Sequence, residues 1–354
     1  MEQPQAKEVL HTLNVRRIWL PLLLSIGVPL YLFISNKDFT WASFRLIAEA
    51  DWRYLLLALL AVIARDIGYI LRLRVITHGN LGWIGSFYIT MLWEFSSAVT
   101  PSVVGGSLIA IFLLTREGIN LGKSLSYVLV ASVCDNLCFI TAASLGLGGA
   151  YGPIFTGMSS LEGHLGSSLQ LLFLSSYTFL LIYTLAVILS LLLWPTLFKW
   201  VLVQVTSLPF LKRWQPAARQ HGDEIIMASS ILKGEKFSYW LRAGLATVVL
   251  WSSKYLILNF LIASYVSLGL QEHLLVFGKQ LVIWTVMLVS PTPGSSGTAE
   301  FFYQQLHGEA LGGYTLITAV LWRAMTSYYY LIIGAIVLPY WLRRAFATPK
   351  STST

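Results

Sequence analysis

Stretches of about 20 predominantly apolar residues, the length that carries an α-helix across a bilayer, recur from Ile18 almost to the C-terminus of this chain. Short polar connections separate most of them. A soluble fold of 354 residues has no core large enough to bury such runs, because 56% of the residues are hydrophobic and only 11% are charged. The expected fold is all-α and polytopic, with lipid as the solvent for most of its surface. Full spans are expected at about 18 to 35, 54 to 76, 122 to 148, 167 to 193, 240 to 268 and 312 to 340. Arg16 and Arg17 before the first run resemble the front of a signal peptide. Ser35-Asn36-Lys37-Asp38 stands where a small-residue cleavage site would follow, so the run reads as an uncleaved helix.

Two further apolar segments are interrupted. Residues 83 to 114 break at Thr100-Pro101-Ser102-Val103-Val104-Gly105-Gly106, and residues 274 to 308 at Ser290-Pro291-Thr292-Pro293-Gly294-Ser295-Ser296-Gly297. Proline lacks an N–H and clashes with the preceding turn, and glycine weakens a helix, so neither segment continues as one rod. Each is expected to be a re-entrant hairpin, with a first half of about 17 residues and a shorter second half. The connection 149 to 166 has no Lys or Arg and 194 to 242 has seven, which places the second, with both termini, in the cytoplasm. With that threading the hairpins dip in from opposite sides.

Equivalent features of the two halves lie 186 to 192 residues apart: the span from 54 and that from 240, Pro101 and Pro293, the span from 122 and that from 312. The expected organisation is one transmembrane domain over 1–350. It comprises a repeat at about 54–148, an interfacial linker rich in Trp, Lys and Arg at about 194–239, and an inverted repeat at about 240–340. Inverted repeats whose discontinuous helices meet near the midplane are a recurring transporter plan.

The net charge of +8 does not point to nucleic acid, since the basic residues neither cluster on a polar domain nor interleave with stacking aromatics. Cys134 and Cys138 lie one turn apart in an apolar stretch and give neither a disulfide framework nor a zinc site. The six histidines are expected in termini or connections and lack metal-ligand spacing; no nucleophile elbow or phosphate-binding glycine loop occurs. The chain is read as a non-enzyme with no metal or other cofactor.

Seven ionisable residues fall inside the apolar segments: Arg65, Asp66, Glu94, Asp135, Lys254, Glu300 and Arg323. A charge facing lipid at the helix centre costs roughly 2.5–3.5 kcal/mol, so these side chains must face one another or a watered cavity. They are either ion pairs that lock helices together or the polar groups of a transport site. Glu300 stands out, one turn into the half-helix after Gly297, where the helix dipole favours a carboxylate. Pro101, Gly105 and Gly106 at one break and Pro293, Gly294 and Gly297 at the other complete the candidate substrate site. Backbone N–H groups freed there can meet an anionic group, or neighbouring Ser and Thr hydroxyls can satisfy them.

Read as Pro-x-Pro-Gly-x-x-Gly-x-x-Glu, the stretch from Pro291 to Glu300 resembles a motif of the lysylphosphatidylglycerol synthase transmembrane-region family, also called flippase-like membrane proteins. Thr100-Pro101 to Gly106, followed by Thr115-Arg116-Glu117-Gly118, resembles that family's earlier break, and Asp135 falls where the family carries an acid. Ser295 departs from a second glycine, Gly106 from a frequent acid, and Ala131-Ser132 from a Glu-Arg pair. The resemblance covers roughly residues 15 to 345. It implies a bacterial inner-membrane protein that binds a phospholipid, or an aminoacylated or glycosylated lipid, and moves it between leaflets. The aminoacyl-transferase domain of the synthases has no counterpart in the sequence. Membrane lipids are then the partners, with a second copy of the chain or a lipid-modifying enzyme as further ones. Two other classes fit the same residues: an accessory protein handling polyprenyl-phosphate or glycolipid carriers for a transferase, and a solute or ion transporter.

Overall fold

The computed structural model describes Gly27 and residues 41–100, 103–156, 164–208 and 211–345. The expected span at 18 to 35 otherwise lies outside them, as do Pro101 and Ser102. Among the described residues the chain is helical and holds no strand. In order the α-helices are α1 Trp52–Ile76, α2 Trp83–Val99, α3 Val103–Arg116, α4 Leu121–Thr156, α5 His164–Leu192 and α6 Pro195–Val205. There follow α7 Gln215–Leu232, α8 Phe237–Ala263, α9 Leu270–Val289, α10 Thr298–Leu311, α11 Thr315–Arg323 and α12 Tyr329–Ala345.

Local sequence accounts for the long helices. In α1, Leu and Ala dominate the first half, and Asp51 caps the start by accepting a 2.9 Å hydrogen bond from the Arg53 N–H. It ends where His78 and Gly79 turn to φ +53° and +73°, and the Gly79 N–H returns to the Arg74 carbonyl at 2.8 Å. At 1.5 Å per residue its length is about 37 Å.

Six helical stretches are long and apolar enough to cross a membrane: Trp52–Ile76, Leu121–Gly146, Ser168–Leu192, Phe237–Ala263, Leu270–Val289 and Pro293–Ala345. Four match expected spans, and two depart from the sequence reading. Helix α9 is not a 17-residue half but runs for 20 residues, about 30 Å, because it begins four residues earlier than expected, at Leu270. The expected span at 312 to 340 is not one regular helix: α11 passes through a π-helical turn, Ala324–Tyr328, into α12. The polar linker folds as α6 and α7, neither of which is among the six.

Burial is inverted relative to a soluble protein. Arg65, Glu300 and Arg323 are each 1% exposed, while Phe179 on α5 is 67% exposed and Leu56, Leu59, Leu60, Ile63 and Ile67 form an exposed stripe on α1. Lipid is the medium that makes both halves of that pattern favourable. Apolar packing divides between two cores, one including Phe95, Leu113, Tyr330 and Trp341 and the other Leu258, Val282, Tyr303 and Trp322.

Helices α1 and α8 pack along each other and run antiparallel. They approach so closely that a Cβ at Gly68 would stand 3.0 Å from the Leu250 Cα. At one end of the molecule the Asp51 N–H donates to the Ser264 carbonyl at 2.8 Å, and the Tyr314 hydroxyl to Glu49 at 2.8 Å. These bonds join the start of α1, the end of α8 and the turn after α10. At the other end His78 meets Glu235 at 2.8 Å, and Glu117 accepts from Arg344 at 2.7 Å and Trp341 at 3.0 Å. There the end of α1, the start of α8 and the ends of α3 and α12 come together.

Both interrupted segments are helical hairpins. Gly85, near the start of α2, lies against Glu117 just after α3. Tyr265 before α9 stacks on Tyr314 after α10 with ring centroids 4.8 Å apart. The hairpin mouths therefore open at opposite ends of the molecule. Their tips meet inside: Gly294, at φ +56°, packs so tightly on the end of α2 that a Cβ would come within 2.8 Å of the Ala98 carbonyl oxygen.

Candidate functional site

Helical spacing on α1 puts Arg65, Tyr69 and Arg72 on one face at i, i+4 and i+7. Arg65 Nε donates to Asp66 Oδ1 at 3.0 Å and its Nη1 to the Met325 carbonyl at 3.1 Å. That carbonyl lies in the π turn, where the wider helical ring departs from the regular hydrogen-bond ladder. Asp66 also accepts from the hydroxyls of Tyr329 at 2.9 Å and Tyr330 at 2.7 Å. Both of its oxygens are thus engaged, and the Arg65 guanidinium lies 4.7 Å from the Tyr330 ring centroid. Charge, hydrogen bonds and aromatic contact close this pair on itself.

A second closed pair sits at the later break. Pro293 opens a 3-10 turn that ends at Ser295, and Gly297 at φ +84° starts α10. Glu300 Oε2 accepts the Gly297 N–H at 2.7 Å, so the carboxylate caps its own helix. One of the backbone N–H groups at this break, that of Gly297, is therefore already bonded. Glu300 Oε1 lies 2.8 Å from Arg323 Nε, and Arg323 Nη2 donates to the Gly294 carbonyl at 2.8 Å. Arg323 thereby ties α11 to both the carboxylate and the backbone of the break. At the earlier break, Pro101 lies outside the described residues. Helix α3 begins at Val103, so Gly105 and Gly106 lie in its first turn, with Gly106 buried against Ser97 of α2.

The third group is more open. Asp135 on α4 accepts from Arg72 and, at 2.7 Å, from Trp251 Nε1, both on Oδ1. Its Oδ2 accepts no hydrogen bond from a described residue, and its side chain is 27% exposed. Glu94 on α2 and Lys254 on α8 are half-buried. Each lies within electrostatic reach of the other and of Asp135 and Arg65. The Lys254 ammonium stands 4.6 Å from the Trp251 ring centroid. Helices α1, α2, α4 and α8 thus bring Glu94, Lys254, Asp135 and Arg72 into one polar cluster. Among the described residues no group of three or more His, Cys, Asp or Glu side chains is arranged to hold a metal.

Sequence reasoning missed Arg72, which is buried and bound to Asp135 rather than placed in a connection. Its spacing from Arg65 was the available signal. Trp251 and Tyr328 to Tyr330 were missed because aromatic residues in apolar runs ordinarily pack. The histidines also need correction: His164, His221, His273 and His307 lie on helices, and His307 is buried beside the Tyr303 ring with centroids 5.0 Å apart. It falls on α10, within the interrupted segment 274 to 308, and not in a connection.

A family model described as the lysylphosphatidylglycerol synthase TM region matches residues 18–334. The chain belongs to this family. The matched region is the transmembrane part and brings no known catalytic domain with it. The chain is also 27% identical over 341 residues to a UPF0104 membrane protein of Archaeoglobus fulgidus, an alignment covering 90% of this chain and 95% of that protein. No solved structure matches. The matched range spans both interrupted helices, Asp135, Glu300 and Arg323.

Proposed function

We propose that the protein binds the polar headgroup of a membrane phospholipid or related amphiphile between Glu94 and Lys254 and carries it from one leaflet to the other. The pattern of charge pairing carries this reading. With Arg72 and Lys279 included, five cations and four carboxylates are held within the membrane helices; six of these charges pair as Arg65–Asp66, Arg72–Asp135 and Arg323–Glu300, and Lys279 on α9 donates to the Leu306 carbonyl at 2.6 Å. Glu94 and Lys254 remain, half-buried and without an ion pair among the described residues. A cation and an anion held near but apart complement the phosphate and ammonium of a headgroup, and their desolvation is further offset when such a group occupies the gap. Asp135 Oδ2 offers one further acceptor. Acyl chains would remain in lipid along the apolar stripe of α1.

The packing supports an inverted-repeat mechanism. Exchanging α1 with α8, α2 with α9, α3 with α10 and α4 with α11–α12 converts observed helix pairs into other observed pairs. The α1–α2 contact becomes α8–α9, α2–α3 becomes α9–α10, α2–α12 becomes α9–α4, and α1–α4 becomes α8–α11. Hairpin mouths at opposite ends accord with re-entrant hairpins entering from opposite leaflets, and rocking of the two units about the α1–α8 contact would give alternating access. Arg74, Lys233, Lys236, Arg242 and Arg344 gather at the His78–Glu235 end, which favours that end as cytoplasmic in the cell membrane.

The test is reconstitution into vesicles carrying a fluorescent phospholipid, with outward exposure read by a membrane-impermeant quencher. Wild-type protein accelerates exposure over empty vesicles. Glu94→Gln and Lys254→Gln each slow it by about tenfold or more, the loss of one charge-assisted contact, with unchanged melting temperature. Equal rates in wild type and both variants would exclude the site.

A further inference from the structure

At the end of the molecule where α1 stops and α8 starts lies a groove of about 640 Å3, within the roughly 300–1,000 Å3 of small-molecule sites. It is separate from the Glu94–Lys254 cluster. Arg74, Lys236 and Arg242 supply three cations to its walls, and Glu235 is its one carboxylate. That carboxylate is already engaged: His78 Nε2–H donates to it at 2.8 Å, and the His78 ring stacks on Tyr239 with centroids 5.0 Å apart. Arg74 is held in place by a 2.9 Å bond to the Leu81 carbonyl and by the Trp83 ring, 4.2 Å from its guanidinium. Lys236 and Arg242 are exposed, and neither pairs with a carboxylate among the described residues. The groove thus has a formal excess of two positive charges, with two cations free to close on an anion.

The rim indicates which kind of anion. Leu71 and Trp83 line the groove and face outward, and Phe237, beside it at the start of α8, is 79% exposed. An apolar rim with Trp at a helix end is the composition of the headgroup level of a bilayer, so an occupant there would have a phosphate inside and hydrocarbon outside. Helix α8 also starts without a side-chain cap, since Lys236 at that position has no acceptor, leaving its first N–H groups toward this end. We infer that this groove binds the phosphate of an anionic lipid, with its acyl chains against Leu71, Trp83 and Phe237, as a second lipid site outside the translocation path.

Native mass spectrometry of the full chain in detergent, titrated with phosphatidylglycerol, phosphatidylcholine or inorganic phosphate, tests it. Wild type binds phosphatidylglycerol in preference to phosphatidylcholine. Lys236→Gln/Arg242→Gln weakens the phosphatidylglycerol adduct about thirtyfold, the effect of two cations near an anionic headgroup, while Lys236→Arg/Arg242→Lys retains it. Lys254→Gln also retains this charge-dependent adduct, which separates the groove from the translocation cluster. Equal phosphatidylglycerol binding by wild type and the Gln double variant would overturn the inference. Inorganic phosphate binding alone, with the same dependence on Lys236 and Arg242, would mark a small-anion site and overturn the lipid assignment.

Discussion

A carboxylate at bilayer depth is tolerable only when donors surround it, and Glu300 and Asp66 meet that condition in ways that tie distant helices together. Glu300 caps α10 through the Gly297 N–H and holds Arg323, which in turn holds the Gly294 carbonyl. Glu300→Gln therefore leaves a buried guanidinium with a weakened partner, and a loss of about 3–5 kcal/mol is expected. The melting temperature in detergent falls accordingly, and Glu300→Gln/Arg323→Met recovers part of the loss because no charge is then stranded. An unchanged melting temperature for Glu300→Gln would show that the pair is not structural. We propose a scaffold role for Glu300 from these contacts, where the sequence alone favoured it as a substrate ligand. Seven of these charges were legible because a charge in an apolar run has few explanations. Arg72 was not, because near a helix end a basic residue is equally well explained by the charge bias of membrane loops. Arg65 and Asp66 are neighbours in sequence, but Arg72–Asp135 and Arg323–Glu300 each join separate helices, and no local pattern encodes those two pairings.

The interrupted helices are where local chemistry and tertiary contact divide the work. Prolines and glycines foretold both breaks, and Gly294 and Gly297 adopt the positive φ that favours glycine. The π turn at Ala324–Tyr328 had no such signal, since it contains neither residue; its Met325 carbonyl is engaged by Arg65 from across the molecule. Helix α3 starts ahead of Gly105 and Gly106 because glycine is tolerated in a first turn that packs closely on a neighbour. The re-entrant topology we propose makes a specific prediction for single cysteines placed in a Cys134→Ala/Cys138→Ala background. Asn80→Cys and Asn120→Cys, flanking α2–α3, are labelled by an impermeant thiol reagent from one side of the membrane. Ser267→Cys and Gly313→Cys, flanking α9–α10, are labelled from the other. Labelling of Asn80→Cys and Asn120→Cys from opposite sides would make α2–α3 a crossing, and the opposed-hairpin arrangement would be lost.

Across the whole molecule, an apolar exterior encloses an ordered set of charges, the reverse of a soluble protein. That class was legible from hydropathy, which sums over hundreds of residues and is insensitive to any single contact. The two cores and the antiparallel α1–α8 contact were not, because lipid-facing and helix-facing positions are equally apolar in such segments. Three ion pairs join charges in the interior, and in the function we propose the unpaired Glu94 and Lys254 leave one place where a polar guest improves the electrostatics. The most direct measurement is photo-crosslinking with a phospholipid bearing a photoactivatable group in its headgroup, followed by mapping of adducts by mass spectrometry. Adducts on α2 around Glu94 and α8 around Lys254, reduced by excess unlabelled lipid, are the predicted result. Adducts confined to the exposed stripe of α1 and the outer face of α5 would mean that headgroups never enter the interior, and the proposed translocation would be contradicted.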